Sequence, residues 1–410
     1  MRPSLTKICI VSQVYPPDAA SVGQHVAGLV AELRSRGNEV IVLTSNRDYD
    51  SPAKRYHGLS EPGLTIYRLP LTSFGKRFIA ARLLGQLSLS LQAIAYLLVR
   101  RSIRKIVLTS IPNTSSLIGA VVGRIRKVHI THWVLDLNPD QAIALGIAKR
   151  HSLQVQLLKQ ANKISFSQAA QVVVMDDAMK QRVERGYNVA ASHISVIPPW
   201  PHEEVLPKRI SHRDNPFRRA HFEDDDLVFM YSGNHSIAHP LDTLLRAIEQ
   251  ELPESAKFAF VGGGVEKNKV DRAAGRDARG RIVSLPYQPF ESLHFSLSSA
   301  DYQVVVMGLD MLGIVHPCKV YGAMALGIPV LYIGPEQSHI GEIVREFGCG
   351  LSSSHGDTAR LLRNLEYACG QSAEERAEWG RRGQQAIRDR FSKRALCGRL
   401  ADQVMRSVIV

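Results

Sequence analysis

Residues 308–334 read GLDMLGIVHPCKVYGAMALGIPVLYIG. Before them lies YQVVVM, residues 302–307, a short β-branched run of the kind that forms a strand buried on both faces. A second such run, PVLYI, occupies residues 329–333. Between the two, a loop leads into a short helix. Pro317 suits its first turn, where a missing N–H costs nothing. Gly327 suits its C-terminal stop, and Pro329 cannot continue it. The order strand, loop, helix, strand puts a helix N-terminus at the carboxyl end of a parallel strand. Open α/β sheets take ligands there, and the helix dipole favours an anion. Lys319 falls in that first turn, where a cation opposes the dipole unless an anion joins it. Its ordinary alternative is to point into water.

The same pattern recurs in both directions. KICIVSQV, residues 7–14, predicts a strand. The loop YPPDAASVG follows, then a helix over 24–36 stopped by Gly37, then the strand EVIVLT at 39–44. This is a βαβ opening. It lacks the three-glycine dinucleotide fingerprint, which argues against a nicotinamide cofactor. Further strands are predicted at 105–110, 128–135, 171–175 and 194–197. PPWP at 198–201 breaks the chain, and the polar stretch to about 226 reads as a linker. The pattern then restarts with a strand at 227–231, the turn SGNH at 232–235 and a helix over 241–248. A strand at 257–261 runs into Gly262-Gly263-Gly264, a flexible turn by its composition. The strand 282–285 leads into Pro286-Tyr287-Gln288-Pro289. Ser372 and Glu375 have capping-box spacing, and a last helix begins near Ser392.

The chain has 410 residues and is 45% hydrophobic, enough for two domains with cores of their own. Its five cysteines are scattered and show no metal-ligand spacing, which predicts reduced thiols and a cytoplasmic location. The N-terminal apolar run is too short for a signal peptide. No paired-aspartate motif of the kind that holds Mg²⁺ is found, so no metal is expected.

Net charge is +13 and unevenly spread. Residues 62–135 hold no Asp or Glu, but they hold Arg68, Lys76, Arg77, Arg82, Arg100, Arg101, Arg104, Lys105, Arg124, Arg126 and Lys127. Such a span implies an anionic partner. Nucleic acid ranks last, because the span has few aromatics for base stacking. An anionic membrane surface is the other option. Within the span, residues 83–99 are uncharged, and Leu84, Leu87, Leu91, Ile94 and Leu98 mark one apolar helix face. Gln86, Ser88, Ser90 and Gln92 interrupt it, so a membrane span is disfavoured. That face either packs on the sheet or lies in a membrane interface.

Pro317-Cys318-Lys319-Val320-Tyr321 and Ala325-Leu326-Gly327-Ile328-Pro329-Val330 together resemble the nucleotide-sugar site of GT-B glycosyltransferases of the retaining family 4 group. The opening is similar too, with its proline pair and Gly23 ahead of a helix that ends in arginine-glycine. Asp136-Leu137-Asn138-Pro139-Asp140, followed by Ala144-Leu145-Gly146, resembles a segment found in a subset of that group.

The resemblance implies an α/β fold of two Rossmann-like domains facing across a cleft. Residues 1–201 would form the acceptor-side domain and 202–391 the nucleotide-sugar domain, with a helix at 392–410 crossing back to the first. It implies transfer of a hexosyl group, with retention, from a nucleoside diphosphate sugar. The acceptor would be a saccharide hydroxyl, lipid-linked, in cell-surface or exopolysaccharide assembly. The enzyme would then work at the inner face of the cytoplasmic membrane, with the donor as co-substrate and no cofactor.

In that scheme Asp136 and Lys319 are the catalytic residues. Asp136 could accept the acceptor's proton, or it or Asn138 could simply cap the helix near Pro139. Donor contacts fall to Gly23, Ser232, Gly233, Asn234, His239, Gly264, Tyr287, Gln288, Asp310, Met311, Pro317, Val320 and Tyr321. The departures from the family are plain. Its two glutamates fall at Ile314 and Gly322, and its phosphate-binding arginine and lysine fall at Asn234 and His239. Lys319 is left as the nearest cation. Two alternatives therefore stay open: a nucleotide-sugar-binding protein without turnover, and a sugar-nucleotide epimerase on the same fold.

Overall fold

The computed structural model describes residues 6–18, 20–48, 51–74, 79–202 and 209–406; Lys76 and Arg77 lie outside them. The chain divides into two compact units. The first comprises 1–199, 313–316 and 394–410, and the second 200–312 and 317–393.

The first unit is built on an eight-stranded sheet. Its strands are β1 (Lys7–Val11), β2 (Glu39–Ser45), β3 (Leu59–Glu61), β4 (Leu64–Leu69), β5 (Lys105–Thr109), β6 (His129–Trp133), β7 (Gln171–Val174) and β8 (Ile194–Val196). They lie in the order β3-β4-β2-β1-β5-β6-β7-β8. Every pairing is parallel except β3 with β4. Central strands read as unbroken apolar runs because helices cover both faces. Ile8, Cys9, Ile10 and Val11 are all fully buried.

Helix α1 (Ser21–Ser35) starts earlier than its sequence predicts, so Gly23 lies inside its first turn. A Cβ there would meet the backbone of Val14 and Tyr15 at 3.3–3.4 Å. Gly23 thus lets α1 pack closely on the loop that precedes it, and it is buried.

Helix α2 (Ile79–Val99) packs on the sheet beside α3 (Ser115–Ile125). It does so with a face turned away from the one its leucines predict, although Ile94 of that predicted face still packs at the edge of the core. Leu89, Ala93 and Leu97 join the core with Ile118 and Val122 of α3, whereas Leu84, Leu87 and Leu91 are exposed. Small residues decide the matter. Gly85 approaches the Thr72 carbonyl so closely that a Cβ would sit 2.9 Å from its oxygen. Of the polar groups this face buries, the Ser90 hydroxyl is satisfied, while Gln86 Oε1 has no partner among the described residues. Ser90 shares a 2.7 Å hydrogen bond with Thr114, whose hydroxyl also donates to the Gln86 carbonyl at 3.0 Å.

The structure also sorts the basic span. Lys105 donates to the carbonyls of Val404, Met405 and Arg406, ending the helix Lys393–Met405. Arg126 donates to the carbonyls of Arg100, Arg101 and Ile103. Arg68 donates to Ser45 and Pro16. Those three are structural, whereas Arg100, Arg101, Arg104, Arg124 and Lys127 are exposed.

The second unit is a parallel sheet of six strands: β9 (Leu227–Asn234), β10 (Ala256–Gly263), β11 (Ile282–Leu285), β12 (Tyr302–Val306), β13 (Val330–Ile333) and β14 (Gly350–Ser353). Their order is β11-β10-β9-β12-β13-β14. The capping box at Ser372 and Glu375 forms as its spacing predicts.

Candidate active site

Lys319 opens the helix Lys319–Ala325, whose N-cap is Cys318; Pro317 lies one residue outside. The helix is only 7 residues long, so its dipole contributes little. The side chain matters more. Its stem reaches solvent, but its ammonium is sealed from water and has no hydrogen-bond partner among the described residues. The nitrogen sits 3.6 Å from the centroid of the Tyr231 ring. A cation over an aromatic face gains about 1–2 kcal/mol, far less than a buried ammonium loses on leaving water. Burial accordingly lowers the Lys319 pKa to about 7.

His235 Nε2 and His239 Nδ1 are buried without a partner among the described residues. Burial, then the charge of Lys319, pushes the pKa of His235 down to about 4 and that of His239 to about 3. Both imidazoles are neutral near pH 7. His239 therefore stands where the family has a cation but carries no charge; it is a dipolar group beside the ammonium. His235, unmarked in the sequence, is held by a 3.0 Å contact of Nδ1 with the Gly233 carbonyl.

Glycines form the floor. Ser232-Gly233-Asn234 is the end of strand β9, not a free turn, and pairs with Val261-Gly262-Gly263 of β10. The glycine triplet is thus half strand. A Cβ on Gly262 would sit 2.1 Å from the Gly233 carbonyl oxygen, and one on Gly264 would meet Asn234 and His235 at 2.5 Å. Gly233 has φ +121°, and its Cβ would fall 2.9 Å from Lys319 Cε. Gly233→Ala is therefore expected to lose about 1–3 kcal/mol of stability from backbone strain and to displace the ammonium. Denaturant unfolding of the variant, with nucleotide titrations beside it, checks both effects.

The remaining donor candidates separate. Tyr287 is exposed and donates to the Gly263 carbonyl at 3.2 Å, and Gln288 bonds back to Pro286. Asp310 is exposed on the turn Leu309–Met311. Met311, Pro317, Val320 and Tyr321 are buried. Tyr321 packs against Phe391 at 5.3 Å. Residues one and two positions after Lys319 point to other sides of the helix, into the core. The side chains of these four thus pack in the core.

Asp136 lies beyond the end of β6, with its backbone N–H and that of Leu135 donating to the Ser110 hydroxyl. The helix that follows, Asp140–Ala144, has Pro139 as its N-cap and no side-chain cap. Neither Asp136 nor Asn138 caps it. Burial raises the Asp136 pKa to about 6, and the nearby His316 holds it lower than burial alone would. His316 belongs to the 313–316 segment of the same unit. Its Nδ1 lies 2.8 Å from Asp176, which also caps the helix Asp177–Tyr187. The segment is anchored further by Leu137 N–H donating to the Ile314 carbonyl at 2.8 Å. A carboxyl poised near neutrality beside a fixed imidazole is suited to accepting a proton.

Residues 21–200 match the glycosyl transferase 4-like domain family. Among curated relatives, the probable glycosyltransferase WbjE of Pseudomonas aeruginosa is 28% identical over 241 residues, which cover 58% of this chain and 60% of WbjE. The putative colanic acid biosynthesis glycosyl transferase WcaI of Escherichia coli K12 is 22% identical over 83% of this chain and 86% of its own. Among solved structures, sucrose-phosphate synthase from Thermosynechococcus elongatus superposes with TM-score 0.76 at 16% identity, covering 97% of this chain and 98% of its own. Anabaena HepE, in complex with UDP and glucose, gives 0.69 at 16% identity over 97% and 99%. The chain as a whole shares the fold of these structures, the GT-B fold.

Proposed function

We propose that the protein is a hexosyltransferase. It moves a sugar, with retention, from a nucleoside diphosphate sugar to a saccharide hydroxyl in polysaccharide assembly; the names of its relatives support the glycosyl transfer, and that of WcaI, with its colanic acid biosynthesis, supports the setting. The acceptor is lipid-linked, and transfer takes place at the cytoplasmic face of a membrane. The observation that carries the reading is the Lys319 ammonium, buried over Tyr231 without a hydrogen-bond partner among the described residues. A diphosphate is the anion that offsets such a charge and has most to gain from it as it departs. Gly233 and Gly264 let the end of β9 lie close against Lys319 and His235, and the exposed Tyr287, with its neighbour Gln288, lies on the loop that takes the base. In the first unit Asp136 accepts the acceptor's proton.

A second reading, donor binding without transfer, is favoured by Ile314 and Gly322. Both are buried, and neither is acidic. A thermal-shift panel of UDP, GDP, ADP, CDP and dTDP with their nucleosides tests the shared part. One diphosphate at 100 times its Kd should stabilise by about 2.7 kcal/mol, and its nucleoside far less. No stabilisation by any of them removes both readings. Release of free diphosphate from the matching nucleotide sugar then separates transfer from binding.

A further inference from the structure

The unpartnered face of α2 and the adjoining end of α3 have a definite composition. Leu84, Leu91 and Val99 are 62%, 66% and 78% exposed. Leu87 and Ala95 are exposed on the same side, so the stripe runs the length of the helix at spacings of three and four. Ile125 of α3, 64% exposed, extends it sideways. Helices α2 and α3 cover the same face of the sheet and pack against each other, so their outer sides form one surface. Isolated exposed leucines need no explanation, but a contiguous stripe does.

The rim of this surface is basic. Arg100, Arg101 and Arg104 follow α2, while Arg124 and Lys127 flank the end of α3, all exposed. No acidic residue occurs anywhere in 62–135 to balance them. Arg126, through its bonds to the carbonyls of Arg100 and Arg101, ties the segment after α2 to the end of α3. The charge is therefore fixed beside the apolar stripe.

We infer that this surface docks on an anionic lipid bilayer, the leucines entering the acyl boundary and the arginines meeting phosphate headgroups. Helix α2 is long and apolar enough to cross a membrane by length and composition. Its inner face, however, is committed to the core, which leaves it to lie in the interface. An apolar stripe alone would fit a second copy of the chain equally well. The basic rim decides between them, since two copies would bring like charges together. The inference supplies the means of the membrane location proposed above, and its test does not depend on donor binding.

Sedimentation with phosphatidylglycerol–phosphatidylcholine vesicles, against pure phosphatidylcholine, tests it. The wild type should partition to the anionic vesicles at low salt and be released as salt rises. Replacing Arg100, Arg101 and Arg104 by glutamine should weaken partitioning about 100-fold. Lys105 is left intact because it ends the C-terminal helix. Replacing Leu84, Leu87 and Leu91 by serine should weaken it at least about 10-fold. These side chains are exposed, so both variants should keep the wild-type unfolding temperature and nucleoside diphosphate stabilisation. Wild type remaining in the supernatant at low salt overturns the inference. So does a leucine variant that binds as well as wild type, or a wild-type dimer by light scattering that the leucine variant dissolves. A failed nucleotide panel beside successful vesicle binding would remove the donor reading and leave this one standing.

Discussion

Asp136→Asn is expected to lower turnover by about 10²- to 10⁴-fold, the usual contribution of a positioned general base, while fold and donor affinity stay unchanged. Asparagine is close to isosteric but cannot take a proton. The pH profile adds a sharper mark. With a pKa of about 6, Asp136 must ionise before it can accept, so kcat/KM should rise through pH 6. It should fall above about pH 7 as Lys319 loses its proton in the free enzyme. A bell centred between the two follows. His316 lowers the Asp136 pKa, so His316→Gln should move the acid limb upward without touching the alkaline one. A fully active Asp136→Asn variant, or an acid limb indifferent to His316, removes the proton-accepting role.

Lys319→Met is expected to act in opposite directions on stability and on binding. Burial depresses the Lys319 pKa below its unfolded value. The unfolded chain therefore binds more protons between about pH 7 and the ordinary lysine value of 10.5, and wild-type stability rises with pH across that window. Below pH 7 the penalty is full. Methionine removes it, so the free protein should unfold roughly 5–10 °C higher at pH 6, with the gain shrinking toward pH 10. Nucleoside diphosphate affinity should fall roughly 30- to 1000-fold, as when one partner of a buried charge pair is removed. Nucleoside affinity should hold. In the wild type, diphosphate affinity should decline above about pH 7; in the variant this decline should vanish. Calorimetric titration at pH 6 and pH 8.5 reads all of this. Equal losses for diphosphate and nucleoside would assign Lys319 to packing alone.

How much of this was legible beforehand varies by element. Most of the parallel strands were, because burial on both faces leaves a short unbroken apolar run bounded by turn residues; β4, partly exposed and reading Leu-Thr-Ile-Tyr-Arg-Leu, was not. Strand β3 is exposed along its whole length, and β14 reads Gly-Leu-Ser-Ser. Neither carries an apolar signal. The inner face of α2 was misread because the helix is apolar nearly all round. Periodicity then loses its meaning, and close approach at Gly85 selects the face. Lys319 was legible from its place after a buried strand. That its ammonium lies over Tyr231 was not, since a tyrosine inside an apolar strand reads as core. His316 could not be tied to Asp176 across 140 positions. Only folding brings a loop between strands of one unit into the other unit's composition.

That first unit is discontinuous, and the discontinuity has a temporal meaning. Its last helix is fastened by Arg36 to Asp402 at 2.6 Å and to Gly398, by Arg399 to Val196, and by Lys105 to three terminal carbonyls. On the ribosome these partners are made roughly two hundred residues after β8, an interval on the order of 10–40 s at ordinary elongation rates. Throughout it the second unit can close on itself as it emerges, while the first, begun earlier, waits for its final helix. The half of the chain synthesised first is the half completed last.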